Sequence, residues 1–217
     1  MTVIGNWLEE RLEIKDSLHW FLHRKVPRGV GWWYTMGSAT LVAFVILLFT
    51  GAFLMLNYSP SPDHAYESIQ YIMTEVPFGA FIRSLHFWSA GAIVVLIGLH
   101  GLRTFFMAAY KYPREITWII GVLLFLLVMF SAFTGYLLPW DQKAYWATNV
   151  GTGIAGQVPL LGPTIQKILI GGNTIGAQTL ARFFTFHVGF TPPLIILLIG
   201  THLFLVIKHG ISAPPPK

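Results

Sequence analysis

The sequence contains no cysteine among its 217 residues. Disulfides, thiolate metal sites and thioether-linked cofactors are therefore excluded, and any metal must be held by other side chains. Charge is also scarce, since Asp, Glu, Lys and Arg make up 11% of the chain, where a soluble domain has about 25%. Hydrophobic residues make up 54% and aromatic residues 15%. This composition excludes a water-facing globule and a disordered chain, and it predicts a protein of the lipid bilayer.

Four stretches without charged residues are long enough to cross a bilayer, which requires roughly 20 apolar helical residues. They predict an all-α membrane protein, a bundle of four transmembrane helices named spans A, B, C and D over residues 32–56, 81–104, 116–138 and 181–207. Spans B and D extend slightly past the charge-free stretches and include Arg83, Arg103 and Arg182 near their ends. Trp, Tyr, Lys or Arg flank each span, as is typical of membrane interfaces. The bundle domain is predicted over residues 31–210, with a C-terminal tail over 211–217.

Two segments outside the spans are expected to lie on the membrane surface. Residues 1–30 mix apolar side chains such as Trp7 with charged ones such as Glu10, which predicts an amphipathic surface helix, with a solvated tail as the alternative. Charged residues also stand where a cleavable signal peptide would need its apolar region. The C–D connection, residues 139–180, is rich in Leu, Ile and Val and predicts short surface helices.

The distribution of positive charge predicts the orientation. Ten of the 14 Lys and Arg residues lie on the side of the termini and of the B–C connection. Because cytoplasmic loops carry more Lys and Arg than external loops, that side is predicted to be cytoplasmic or its equivalent, the n side. Both termini then lie on the n side, the A–B and C–D connections face the opposite p side, and spans B and D are parallel.

Histidine placement is the main chemical signal. Span B contains His86 and His100, 14 residues apart, and span D contains His187 and His202, 15 residues apart. At about 100° per residue, these spacings leave the members of a pair about 40° or 60° apart around the helix and ~21 or ~22 Å apart along it. Because B and D are parallel, His86 matches His187 in depth near the p side, and His100 matches His202 near the n side. Two imidazoles that face each other at one depth can ligate a six-coordinate haem iron.

Other interpretations of these histidines stay open at this point. A histidine within a membrane helix can hydrogen-bond to a neighbouring helix or belong to a proton relay. The alternative to a dihaem membrane protein is therefore a tetraspan transporter with histidine relays. Four histidines at two matched depths favour haem ligation over a relay.

Glycines and basic residues accompany the histidines. Glycine pairs at the same spacing of 14 occur on span A and on span C: Gly37 and Gly51, and Gly121 and Gly135. A glycine lets a flat macrocycle approach the backbone closely, although helix packing is an alternative role. Buried propionates need positive partners. The candidates are Arg83 and Arg182 near the p side and Arg103, Arg114 and Lys208 near the n side. Setting the membrane topology is the alternative role of these charges.

Several runs resemble the cytochrome b family over nearly the whole chain: RSLHFWSA, HGLRTFF, YKYPREITW, FTGYLLPWDQKAYWAT, LARFFTFH and KHGIS. The length and the 15-residue spacing in span D are similar to the short, split b6 form. The resemblance implies that the four span histidines bind two non-covalent b haems. It also implies a p-side quinol pocket lined by Tyr136, Trp140, Tyr145, Trp146 and Ala147, although interfacial anchoring is an alternative role for each aromatic residue.

The function that this resemblance implies is that of a subunit, inactive alone, of a quinol-oxidising cytochrome bc or b6f-type complex. The alternative is a dihaem quinone-linked membrane anchor of a dehydrogenase or reductase. One electron from a p-side quinol passes to a Rieske iron–sulfur protein, and the other passes through both haems to an n-side quinone. The expected partners are the lipid membrane, a c-type cytochrome or plastocyanin-type acceptor, the Rieske protein and a three-helix subunit with the Pro-Glu-Trp-Tyr motif, which this sequence lacks. The complex is expected to be homodimeric and not to bind nucleic acid.

Two positions depart from the family pattern. Phe87 stands where b6-type chains usually have Arg, so Arg83 is expected to contribute more to propionate binding. Thr35 stands where plastid, cyanobacterial and several Gram-positive relatives carry the cysteine that attaches an extra n-side haem. No covalent haem is therefore expected, and a bacterial cytoplasmic membrane is favoured over a thylakoid.

Overall fold

This computed structural model describes residues 27–213 and, before them, residues 7, 9–11, 13, 15, 19 and 23. The surface helix predicted within residues 1–30 therefore lies largely outside the described residues, and so does most of the tail predicted at 211–217. The described part is helical and contains no strand. From residue 32 onward its α-helices are α1 Met36–Met55, α2 Ala65–Thr74, α3 Gly79–Phe106, α4 Glu115–Leu137, α5 Gln142–Gly156, α6 Gly162–Ile170, α7 Ala177–Phe184 and α8 Thr191–His209.

Within the described ranges, four helical stretches are long and apolar enough to cross a membrane: Trp32–Met55, Gly79–Phe106, Glu115–Leu137 and Ala177–His209. They are spans A to D, and the predicted all-α fold with four spans is confirmed. Span A begins with a 3-10 turn, Trp32–Thr35, and span D consists of α7, a π-helical turn and α8. Span D begins at Ala177, four residues before the predicted start at residue 181. Arg182 lies within this helix, and its guanidinium donates a hydrogen bond to the carbonyl oxygen of Ile168 on α6.

The bundle consists of two hairpins. Span A packs along B and span C packs along D. Buried apolar side chains from all four spans meet at mid-height: Ala43, Phe44, Ile93, Ile97, Leu124, Val128 and Ile195. Burial of such side chains supplies the packing that holds helices together in lipid as well as in water. This central layer divides the interior of the bundle into two levels, one toward each end of the bundle.

Both long connections pack together at one end of the bundle, here called the loop end; the opposite end is the termini end. Ala65 of α2, Leu137 at the end of span C and Phe183 of α7 belong to one buried cluster. Tyr58, which follows span A, donates a hydrogen bond from its hydroxyl to the carbonyl oxygen of Leu138 at 2.7 Å. The A–B connection is thereby tied to the end of span C. The loop end and the termini end correspond to the predicted p and n sides.

Candidate functional site

The span histidines form two facing pairs. The ring centroids of His86 and His187, near the loop end, are 6.3 Å apart, and those of His100 and His202, toward the termini end, are 6.5 Å apart. Imidazoles on opposite sides of one metal, each with a metal–nitrogen bond of about 2.0 Å, have ring centroids about 6 Å apart. No group of three or more metal-binding side chains converges within the described residues. Each pair is therefore suited to a metal whose other ligands come from a macrocycle.

Hydrogen bonds orient both rings at the loop end. Nδ1 of His187 donates to the carbonyl oxygen of Ser131 at 2.9 Å. Nδ1 of His86 lies 2.8 Å from the Thr50 hydroxyl, which itself donates to the carbonyl oxygen of Ile46 at 2.6 Å and so accepts from Nδ1. A proton on Nδ1 leaves the lone pair on Nε2, which is the form of imidazole that ligates a metal.

Sequence reasoning overlooked Thr50 and Ser131. Thr50 belongs to a Phe-Thr-Gly run that ends at Gly51, and a second Phe-Thr-Gly run ends at Gly135, four residues after Ser131. The two runs occupy corresponding levels of spans A and C, beside the two loop-end histidines. In span A the threonine of the run is Thr50 itself. In span C it is Thr134, whose hydroxyl bonds to the carbonyl oxygens of Phe130 and Ser131. The repeated tripeptide therefore indicates the polar partner of His86 but not that of His187.

Each of the four paired glycines lies against one imidazole. A Cβ added to the glycine would crowd Cε1 of that ring: at 3.1 Å for Gly37 against His100, 3.1 Å for Gly51 against His86, 3.3 Å for Gly121 against His202 and 2.5 Å for Gly135 against His187. Non-bonded carbon atoms prefer a separation of about 3.5–4.0 Å. The glycines thus allow each histidine to lie against the backbone of its hairpin partner, and their contact with a macrocycle stays a prediction.

A π-helical turn, Thr185–Phe190, contains His187 and accounts for the longer spacing in span D. Its hydrogen bonds join residues five apart instead of four, so the turn takes up one extra residue. The 15 residues between His187 and His202 therefore correspond to the 14 residues between His86 and His100. In a uniform helix, His187 and His202 would lie about 60° apart around the helix axis. The extra residue brings this angle closer to the roughly 40° between His86 and His100 in span B. The similar centroid distances of the two facing pairs, 6.3 and 6.5 Å, agree with this.

A cavity of about 570 Å³ extends from the central layer to the termini end, and cofactor sites typically measure about 300–1,000 Å³. Its lining includes His100, His202, Gly37 and Gly121, as well as Arg103. Nε and Nη2 of Arg103 are buried and have no hydrogen-bond partner in the described part of the chain. Facing imidazoles, an apolar cavity and a guanidinium without a hydrogen-bond acceptor together fit a haem with its propionates.

The other basic candidate at the cavity is Arg114, which has protein partners. It donates from Nε to the carbonyl oxygen of Gly210 at 3.0 Å and thereby ties the start of span C to the end of span D. Lys208 is exposed. Propionate contacts of these two side chains stay predictions. Arg103 differs from them, because it lines the same cavity as the histidines and has buried nitrogen atoms without a protein partner in the described residues.

The two arginines at the loop end also contact protein groups. The guanidinium of Arg182 donates to the carbonyl oxygen of Ile168, and Nη1 of Arg83 lies 3.5 Å from the sulfur of Met73. A thioether is a weak acceptor, so the Met73 contact leaves Arg83 available to a stronger one. Propionate binding by either arginine at this end stays a prediction.

The residues predicted for a quinol pocket lie at the loop end: Tyr136 at the end of span C, Trp140 just after it, and Tyr145, Trp146 and Ala147 on α5. The rings of Tyr145 and Trp146 are in contact, with centroids 5.3 Å apart, and 57% of Trp146 is exposed. Trp140 has a φ of 53°, a left-handed conformation that costs a non-glycine residue about 1–3 kcal/mol and occurs most often at functional sites.

A four-span helical bundle with facing histidine pairs is suited to hold haem within a membrane. A family model described as Cytochrome b/b6/petB matches residues 21–210. The chain belongs to the cytochrome b/b6 family, whose members are transmembrane electron-transfer subunits of quinol-oxidising complexes. Family membership implies b haem as cofactor and quinone as substrate, and it favours this function over the anchor and transporter alternatives.

Individual relatives resemble the chain over almost its full length. The menaquinol:cytochrome c reductase cytochrome b subunit of Geobacillus thermodenitrificans is 43% identical over 217 residues, which cover 96% of this chain and 97% of the relative. Cytochrome b6 of Acaryochloris marina is 41% identical over 99% of this chain and 100% of its own length. A solved hyperthermophilic respiratory Complex III chain superimposes with a TM-score of 0.90 at 34% identity over 96% of this chain, which spans 56% of that longer chain.

Proposed function

We propose that this chain conducts electrons from a quinol at the loop end to a quinone at the termini end, within a quinol:cytochrome c reductase of the menaquinol or b6f type. The observation that carries the proposal is the presence of two facing histidine pairs, with centroids 6.3 and 6.5 Å apart, on spans B and D. His86 and His187 would ligate one b haem, and His100 and His202 the other. When bound, these haems supply one-electron oxidation and reduction at two levels.

The residues around the pairs hold the ligands and exclude water. The bonds to Thr50 and Ser131 keep Nε2 of the loop-end imidazoles free for a metal. The central apolar layer, which includes Phe44 and Leu124, lies between the two levels and excludes water from the middle of the bundle. Moving one electron from the p to the n side costs about 2.3 kcal/mol per 100 mV of membrane potential, so the route uses the energy of quinol oxidation to charge the membrane.

The quinol site requires a partner. Proton removal from a quinol needs a base within hydrogen-bond reach and with a suitable pKa. Asp141, the acid next to Trp140, instead accepts the backbone N–H of Ala144 at 2.8 Å and caps α5. We therefore infer that a three-helix subunit with the Pro-Glu-Trp-Tyr motif supplies the base and packs near Tyr136 and Trp146, both more than 40% exposed. A Rieske protein and a c-type cytochrome would accept the electron that does not enter this chain.

The proposed setting is a bacterial cytoplasmic membrane, with both termini on the cytoplasmic side and the complex a homodimer. The excess of Lys and Arg at the termini end supports this orientation. Thr35 supports the bacterial setting and two non-covalent haems without an attached third one, because its hydroxyl cannot form a thioether and donates to the carbonyl oxygen of Trp32 at 2.7 Å.

Replacing one histidine of each pair tests the proposal. We expect His86→Ala to remove only the loop-end haem and His100→Ala only the termini-end haem, because the ligands of each haem lie at one level. His64→Ala, a change at an exposed position outside the spans, should retain both haems. Haem stoichiometry and redox titration of the purified variants measure the outcome. Loss of both haems from a stably inserted single variant, or of neither, would contradict the assignment.

A further inference from the structure

Tyr34 covers the guanidinium of Arg103 at the termini end. Cζ of Arg103 lies 3.5 Å from the centroid of the Tyr34 ring. Tyr34 belongs to the 3-10 turn that begins span A, Arg103 lies in the last turn of span B, and both line the cavity that contains His100 and His202. The contact therefore joins the ends of two spans at the wall of the candidate cofactor site.

The ring alone does not satisfy this guanidinium. A cation over an aromatic face is attracted by the ring quadrupole, but its N–H groups still require acceptors. Nε and Nη2 of Arg103 are buried without an acceptor in the described residues, and so is the hydroxyl of Tyr34. A buried guanidinium without acceptors is costly, because its hydration is lost. The ring thus fixes one face of the guanidinium, while the N–H edge is left for an anion in the cavity.

We propose that Tyr34 is a positioning residue: its ring holds the guanidinium of Arg103 toward a propionate of the haem ligated by His100 and His202. This inference rests on the proposed function, since that haem must be present. Arg103 follows His100 by three residues and so lies on the same face of span B. A positive charge held near the haem favours its reduced form over its oxidised form and raises its midpoint potential. Loss of the ring is therefore expected to lower that potential.

The test compares Tyr34→Leu, Tyr34→Phe and the control Trp33→Leu in the purified, haem-loaded protein. Trp33 lies in the same turn and is 62% exposed, so its variant controls for losing an aromatic side chain there. Haem content and the potentials of both haems are measured. We expect Tyr34→Leu to lower the reduction equilibrium constant of the termini-end haem about tenfold, which is about 59 mV for one electron. Tyr34→Phe keeps the ring and should retain the wild-type potential, as should Trp33→Leu.

Three further results separate the outcomes. Adding Tyr34→Leu to Arg103→Gln should not shift the potential of the termini-end haem further, and an additional shift would overturn the proposal. The proposal is also overturned if Tyr34→Leu alone retains the wild-type potential, or if Tyr34→Phe shifts the potential as much as Tyr34→Leu does. If Tyr34→Leu and Tyr34→Met both lose the termini-end haem, the ring is structural and the proposal is overturned. A wild-type protein without this haem would instead refute the proposed function and, with it, this inference.

Discussion

One added methyl group at Gly135 is expected to weaken haem binding at the loop end. The Cβ of Gly135→Ala would lie 2.5 Å from Cε1 and 2.8 Å from Nδ1 of His187. Carbon atoms in contact are at least about 3.5 Å apart, so the ring would have to move by about 1 Å. Such movement stretches the bond from Nδ1 to the Ser131 carbonyl oxygen, now 2.9 Å long. The imidazole would leave the position in which it faces His86.

The size of the effect follows from the cost of overpacking. Inserting a methyl group into a packed site costs about 1–3 kcal/mol. At about 1.4 kcal/mol per tenfold change in an equilibrium constant, haem affinity at the loop end should fall about 5-fold to 140-fold. In Gly121→Ala the new Cβ would lie 3.3 Å from Cε1 of His202, a shortfall of only tenths of an ångström. The termini-end haem should therefore be nearly unaffected by that change.

Haem transfer to excess apomyoglobin measures both effects, since the loss of each haem can be followed by absorbance and assigned by redox titration. Gly91→Ala in span B is the matched control, because an added Cβ there meets no atom within 4 Å. The reasoning is refuted if Gly135→Ala retains its loop-end haem as firmly as Gly91→Ala does. It is equally refuted if Gly121→Ala releases haem faster than Gly135→Ala.

Three other experiments have defined outcomes. Tyr58→Phe removes the bond to the Leu138 carbonyl and should destabilise the protein by about 1 kcal/mol. Burial raises the pKa of Tyr58. The hydrogen bond therefore contributes fully to stability below the ordinary tyrosine pKa of about 10, and the contribution is lost as the pH rises through the raised pKa. Thermal unfolding curves of the wild type and of Tyr58→Phe, measured across this pH range, should differ at neutral pH and converge only at the high-pH end. Acid acetone should extract all haem, since Thr35 cannot form a thioether, and a band stained for covalent haem on a denaturing gel would contradict this. Asp141→Ala, but not Asp141→Asn, should lose the cap to Ala144 and about 1 kcal/mol of stability with haem content unchanged; equal losses in both would implicate the charge instead.

The spans were predictable because a bilayer imposes a simple rule on helix length and composition. The rule was less precise at the span ends, since span B begins at Gly79 and not at residue 81, and span D begins at Ala177 and not at residue 181. Arg83 and Arg182 lie near these ends, and each contacts a neighbouring helix, at Met73 on α2 or Ile168 on α6. Such partners depend on the packing of the connections and are not visible in a hydropathy pattern.

The sequence could not predict how the histidine rings are oriented, for a different reason. The π-helical turn around His187 changes the register of a helix by one residue, and hydrophobic periodicity does not indicate where that residue is inserted. The bond from His86 to Thr50 depends on the rotation of span A against span B, which only the folded hairpin determines. The spacing of the histidines was informative without either feature, because both pairs needed only to match in depth.

The arrangement of glycines and histidines explains how two ligand sites can be built by two hairpins. Each of the four span histidines lies against a glycine of its own hairpin, as His86 does against Gly51 and His187 against Gly135. Every facing pair, in contrast, takes one imidazole from each hairpin. The position of each ligand is therefore set within a hairpin, and the proposed haems would join the hairpins to one another. Haem binding should then stabilise the association of the hairpins more than the folding of either one, because a ligand stabilises the state that alone contains its complete site.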